Sequence, residues 1–112
     1  DGSGLSMWNT TTAEATVALL KAMSETKAFR DALPVGGIDG TLKARFPAPE
    51  HRGKVIAKTG TLSVASCLSG YAVTTKGETI IFSFLMNHFD RKAGCAAARR
   101  AKYDIVLTLL CL

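Results

Sequence analysis

Four consecutive residues, Lys58-Thr59-Gly60-Thr61, carry the plainest chemistry in this sequence. They fall in a run, Val55 to Thr61, whose composition predicts a β-strand. On a strand, alternation sets Thr59 and Thr61 on one side and Lys58 with Gly60 on the other. Two hydroxyls on one side can jointly hold a carboxylate. An ammonium on the other can supply positive potential to a nucleophile and its proton-transfer partner. Gly60 has no side chain, so an extended peptide can pair closely along the strand. The same residues also fit a plain surface strand with a solvated lysine and threonines suited to β-structure.

Other residues of reactive type lead less far. Ser24 and Lys27 stand at Ser-x-x-Lys spacing, but at the end of an amphipathic helix, where they read as surface residues. His51, in a polar loop, and His88, at a strand end, are expected to face solvent. Asp39, inside Gly37-Ile38-Asp39-Gly40, is expected to bond local amides in a turn rather than act as an acid. Trp8 is expected to anchor the entry to the first helix, and Tyr71 to belong to the core or a cleft wall. Cys67, Cys95 and Cys111 are odd in number and lack CxxC spacing. That pattern argues against zinc or thioredoxin-like chemistry and favours small buried or half-buried hydrophobes. No metal site or cofactor is expected.

The elements that position the motif can be read around it. Thr11 and Glu14 have capping-box spacing, and Ala13, Val17, Leu20 and Met23 form a helical stripe interrupted by Thr16. The helix should break near Ser24 to Lys27, with a turn through Phe29 to Leu33 that Pro34 ends. Gly36, Gly37 and Gly40 then imply positive φ or close approach of another segment. Phe46 to Gly53 reads as a polar connection. Strands are expected at Val55 to Thr61, Cys67 to Thr75 and Thr79 to Asn87, the last two joined by Lys76-Gly77-Glu78 as an antiparallel hairpin. Ala98, Ala101, Ile105, Leu109 and Leu112 fit a closing amphipathic helix on one face of the sheet. The class is α+β: three antiparallel strands packed with a C-terminal helix.

Composition excludes several functions. The 112 residues, 47% apolar and 21% charged, suit one compact unit rather than a disordered tail. The longest apolar run, Ile105 to Leu112, is interrupted by Thr108, well short of the roughly 18 residues a transmembrane segment needs. No positively charged leader opens the sequence. Fourteen Lys and Arg against nine Asp and Glu give a net charge of +5. The basic residues are scattered, however, apart from Arg99-Arg100 with Lys102 and Arg91-Lys92. No aromatics interleave with these, so nucleic acid is not the expected partner.

Lys-Thr-Gly is one of three signature elements of penicillin-binding proteins and serine β-lactamases, beside Ser-x-x-Lys and Ser-x-Asn. The run Gly53 to Leu62, followed by Leu68-Ser69-Gly70-Tyr71 and a hairpin, resembles the third to fifth strands of the penicillin-recognising, β-lactamase/transpeptidase-like fold. Asp1-Gly2-Ser3-Gly4-Leu5-Ser6 with Asn9, and Leu33-Pro34 leading into Gly37-Ile38-Asp39-Gly40-Thr41-Leu42, resemble one family within it. That family is the serine D-alanyl-D-alanine carboxypeptidase/endopeptidases of the penicillin-binding protein 4 type. The resemblance spans about positions 1 to 87, and the closing helix shares only its place.

The resemblance implies acyl transfer on peptidoglycan stem peptides, outside the cytoplasmic membrane or in the periplasm, with β-lactams as the other ligand class. Lys58 would match the strand lysine that contacts the serine of Ser-x-Asn. Thr59 and Thr61 would hold the terminal carboxylate, Gly60 would admit the substrate backbone, and the Thr61 N–H would serve the oxyanion hole. Asp1 to Ser6 and Gly37 to Leu42 would be walls near the site. The other two signatures normally precede the Asp1 to Ser6 segment, and Ser-x-Asn occurs nowhere in the sequence. Residues 1–112 are therefore expected to be the C-terminal segment of a catalytic domain, inactive alone and partnered by the domain's N-terminal part. The competing class is a non-catalytic α+β module that binds a peptide or protein along the same strand edge.

Overall fold

Thr12 starts the first helix, α1 (Ala13–Ala22), its Oγ1 accepting a hydrogen bond from the Ala15 N–H at 3.0 Å. The cap thus lies one residue beyond Thr11. Among three consecutive threonines, Thr12 is the one whose hydroxyl reaches the third helical amide, and Glu14 sits in the first turn, where the helix dipole favours it. The inward face is Ala13, Thr16, Val17, Leu20 and Met23, as expected from the stripe and its single polar interruption. The computed structural model describes residues 2–6, 8–89 and 94–112. Asp1 of the opening motif and the Arg91-Lys92 pair lie outside them.

A short helix, α2 (Lys27–Asp31), precedes Pro34, and a 3-10 turn covers Gly40–Leu42. Between them Asp39 Oδ1 accepts the Val35 N–H at 2.7 Å, the local turn role expected of it. Gly37 has φ of 72°, and a Cβ there would lie 2.8 Å from the Phe46 carbonyl oxygen, so both readings of the glycine cluster hold at this position.

Three antiparallel strands follow, β1 (Val55–Leu62), β2 (Ala65–Val73) and β3 (Thr79–Asn87), in the order β1-β2-β3. β3 has the expected bounds. β2 begins and ends two residues earlier than Cys67 to Thr75, because the turn to β3 takes Thr74 for itself. Thr74 N–H donates to the Glu78 carbonyl, and its Oγ1 accepts the Glu78 N–H.

The closing helix, α3 (Gly94–Leu110), buries Ala98, Lys102, Val106 and Leu110, one row at four-residue spacing. The expected stripe through Ala101, Ile105, Leu109 and Leu112 is displaced from that row, and Ile105 and Leu112 are exposed. A lysine occupies the row's second place, so an apolar pattern that passes over lysine slides one residue round the helix.

The pleat assigns the two faces of the sheet. Ser66, Leu68, Gly70 and Ala72 of β2 share a face with Val55, Ala57, Thr59 and Thr61 of β1, and α3 lies on that side, where Lys102 bonds Ser66. Tyr71 and Ser69 lie on the opposite face with Lys58 and Gly60, and α1 covers it. The Tyr71 hydroxyl donates to the Leu20 carbonyl at 2.6 Å, with the Arg30 guanidinium 5.2 Å from its ring centroid. Burial pushes the Tyr71 phenol up, which suits a core residue and not a base. The core joins Leu42, Phe46, Val55, Ala57, Leu68, Ala72, Phe82, Val106 and Leu110. Trp8 is 91% exposed and anchors nothing, contrary to expectation. Among the described residues no helix is long and apolar enough to cross a membrane.

Gly70 is the tightest point of the sheet. A Cβ there would fall 2.2 Å from the Ile56 carbonyl oxygen and 2.6 Å from the Ala57 Cα, both backbone atoms of β1. Gly70→Ala is predicted to push β1 away from β2 and cost about 1–3 kcal/mol or more in urea unfolding. A loss below about 0.5 kcal/mol would show that the strands separate freely there.

Candidate active site

The motif occupies the outer edge of the sheet, and that edge is only half covered. Gly36 N–H donates to the Val55 carbonyl at 2.8 Å, and Ala57 N–H donates to the Pro34 carbonyl at 3.0 Å. Antiparallel alternation directs the amides and carbonyls of Thr59 and Thr61 to this same edge. Beyond Ala57, no strand pairs with it among the described residues. The peptide groups of Thr59 and Thr61 thus have no strand partner on this edge among the described residues, and they can meet an incoming extended chain.

Each side chain of the motif has a definite place. Lys58 is exposed, and its Nζ donates to the Thr59 carbonyl oxygen at 2.6 Å, which holds the ammonium at the open edge. Thr59 Oγ1 donates to Thr41 Oγ1 at 3.0 Å, tying the motif to the 3-10 turn. Thr61 is exposed beyond it on the same face. A Cβ on Gly60 would meet only the Cys67 Cβ, at an ordinary 3.5 Å. Packing within this chain does not demand glycine at that place. Its bareness keeps the strand surface clear instead.

Two clefts flank the edge. One, of about 430 Å³, lies between Ser3, Gly4 and Leu5 on one wall and Lys58 to Leu62 with Ala65 and Cys67 on the other. The second, about 360 Å³ and mainly apolar, has Thr16, Leu19, Leu20, Phe29 and Leu33 facing Lys58, Thr59 and Gly60. The opening segment and the 3-10 turn, far apart in sequence, thus both reach the motif.

The remaining candidates stay apart from it. Ser24 Oγ donates to the Lys21 carbonyl and Lys27 pairs with Asp31, so the Ser-x-x-Lys match is a helix end and an exposed ion pair. His88 Nδ1 lies 3.0 Å from Asn87 Oδ1 on the surface, and His51 lies in the turn region before β1. All three cysteines are free; Cys67 and Cys95 are half-buried, whereas Cys111 is exposed. No group of three or more metal-ligating side chains occurs among the described residues.

One pair was not foreseen. Lys102 is 2% exposed and Ser66 fully buried, and Lys102 Nζ donates to Ser66 Oγ at 2.5 Å. Burial lowers the Lys102 pKa, and nearby Arg45 and Arg99 lower it further, against the opposite pull of the Cys67 and Cys95 thiols. The signal was a lysine four residues from both Ala98 and Val106, inside the apolar row of a helix.

The profile of the D-Ala-D-Ala carboxypeptidase 3 (S13) family matches residues 1–108. The chain belongs to that family. It is 38% identical over 116 residues to a D-alanyl-D-alanine carboxypeptidase of Actinomadura sp. (strain R39), covering 92% of this chain and 21% of that protein. It is 33% identical over 95 residues to the D-alanyl-D-alanine carboxypeptidase DacB of Haemophilus influenzae, covering 80% and 20%. The crystal structure of H. influenzae penicillin-binding protein 4 (dacB) superposes with a TM-score of 0.84 at 25% identity, over 100% of this chain and 27% of that one. The S13 chain thus spans about a fifth of the length of the curated relatives it matches.

The buried lysine gives this S13 chain a pH signature. Its folded-state pKa lies below the ordinary 10.5, so the folded chain binds the proton less tightly than the unfolded one. Holding the charge costs stability at neutral pH, and the cost is relieved as pH rises through the folded pKa toward 10.5. Tyr71 acts in the opposite direction only above its ordinary 10.0, since its pKa is raised. Urea unfolding followed as pH rises toward 10 is therefore predicted to show a gain in stability below the ordinary lysine pKa of 10.5, and Lys102→Met should abolish it. Equal slopes for both proteins would contradict a perturbed lysine.

Proposed function

We propose that these 112 residues are the substrate-clamping C-terminal segment of a serine D-alanyl-D-alanine carboxypeptidase/endopeptidase that acts on peptidoglycan stem peptides and binds penicillins. The carrying observation is the open edge of β1, where Lys58, Thr59, Gly60 and Thr61 meet a cleft walled by Ser3 to Leu5, in a chain of the S13 family. The structure of H. influenzae penicillin-binding protein 4 complexed with a β-lactam, 27% identical to this chain, supports β-lactams as a ligand class. The Bd0816 endopeptidase of Bdellovibrio bacteriovorus, 25% identical with a TM-score of 0.78, supports endopeptidase cleavage alongside carboxypeptidase cleavage.

The reaction divides between this chain and a serine-bearing part of the same domain, which the proposal places upstream and outside the cytoplasmic membrane. The serine Oγ adds to the penultimate D-Ala carbonyl carbon and gives its proton to a base. The resulting oxyanion is met by the Thr61 N–H, a donor worth on the order of 3 kcal/mol in comparable sites. The C–N bond then breaks, the leaving D-Ala amine takes the proton, and water hydrolyses the ester. The Thr59 hydroxyl turns its proton from Thr41 to the terminal carboxylate, which the Thr61 hydroxyl also holds. Lys58 releases the Thr59 carbonyl and turns its ammonium to the serine of Ser-x-Asn, favouring proton transfer by its charge. Gly60 lets the substrate backbone lie against the strand.

Labelling with a fluorescent penicillin tests this. The complete domain should label on one serine. Thr61→Val should slow labelling about 10- to 100-fold, the worth of a hydrogen bond to a charged group. Lys58→Ala should slow it more. The 112-residue chain alone should not label. Labelling of the isolated chain, or a complete domain that never labels, would overturn the proposal; the second result would favour the non-catalytic binding module.

A further inference from the structure

The face that carries Thr59 and Thr61 is backed by positive charge that no carboxylate balances among the described residues. Lys102 is buried beneath it on α3, and Arg45 and Arg99 stand close enough to disfavour its charge. The two ion pairs among the described residues are elsewhere, Lys27 with Asp31 and Arg100 with Asp104, and both are exposed. A buried ammonium without a counter-ion is costly, and a fold that only needed to fill this space would be served by methionine or leucine.

The position of Lys102 is tied to the motif through one residue. Its ammonium donates to Ser66 Oγ, and Ser66 stands directly opposite Thr61 in the β1–β2 ladder. Since the edge amides of β1 belong to Ala57, Thr59 and Thr61, the Thr61–Ser66 pair is of the non-hydrogen-bonded kind. In such pairs the side chains approach most closely, with Cβ atoms about 4.5–5.5 Å apart. Both side chains lie on the α3 face. The Ser66 oxygen takes its hydrogen bond from Lys102, which fixes the hydroxyl beside Thr61.

We propose that Lys102 is a positioning residue for the carboxylate subsite: through Ser66 it orders the Thr61 hydroxyl, and its charge is balanced by the substrate's terminal carboxylate when that group binds at Thr59 and Thr61. The inference rests on the role given to these threonines above and extends it to α3. It makes the helix part of substrate recognition as well as part of the core. The anion selected is a carboxylate at the end of an extended peptide, or its equivalent on a β-lactam, because only these reach the open edge and the threonine face together.

The test uses the complete domain and two matched substrates, a D-Ala-D-Ala peptide with a free terminal carboxylate and its C-terminal amide. The wild type should prefer the free carboxylate. Lys102→Met should reduce that preference about 10-fold, mainly by raising KM for the carboxylate peptide, with kcat and the amide substrate little changed. Ser66→Ala should give a smaller reduction of the same kind. Should the methionine variant fail to fold, Lys102→Gln keeps a donor to Ser66 without the charge and is read in the same way. Equal losses on both substrates, or an unchanged preference in a folded variant, would overturn the inference and leave the threonine subsite standing. A wild type with no preference would remove the subsite itself, and this inference with it.

Discussion

Everything in this structure that bears on chemistry depends on where the cover of one strand edge stops. Pro34 to Gly36 satisfy the outer edge of β1 at Val55 and Ala57 and go no further. The glycine-rich segment then turns away, with Gly37 at positive φ against the Phe46 carbonyl and Asp39 closing the turn on Val35. From Thr59 the same edge is open. Had the pairing run four residues longer, to Thr61, the edge groups of the motif would be spent within the fold. Because it stops there, the motif retains donors and acceptors for a ligand, and the Thr59–Thr41 hydrogen bond keeps the covering segment close beside it.

The sheet can present such an edge because helices hold it from both faces. On one, the Tyr71 hydroxyl fastens β2 to the Leu20 carbonyl of α1. On the other, α3 packs Val106 and Leu110 into the core and sets Lys102 under Ser66. Gly70, where only a hydrogen fits against β1, brings the strands together between these anchors. The positive charge of Lys58 and that of Lys102 therefore approach the motif from opposite faces, one exposed and one buried. The chain belongs to the S13 family and spans about a fifth of its relatives' length.

Much of this was legible in the residues. The bounds of β3, the inward face of α1 with Thr16 on it, and the turn role of Asp39 all follow from local pattern, because each is set by residues close in sequence. The motif's place on a strand was legible for the same reason. What escaped depended on partners far along the chain. The burial of Lys102 requires Ser66, thirty-six residues away, so a helix pattern that treats lysine as polar rotates the stripe off its true row. β2 shifted because Thr74 had a better use in the turn. Trp8, expected at the entry to α1 as an anchor, is left exposed, with no described element near enough to cover it. An open edge on this strand follows from the motif, but the point where its cover stops does not, since that depends on where Pro34 to Gly36 leave β1.

The proposed recognition of substrate depends on the open edge of β1. Its most direct test is a crystal structure of the complete domain acylated by a penicillin. The acyl carbonyl oxygen should lie within hydrogen-bonding distance of the Thr61 N–H, with the ligand's carboxylate on the Thr59 and Thr61 hydroxyls. An adduct whose carbonyl and carboxylate both lie away from this edge would contradict it.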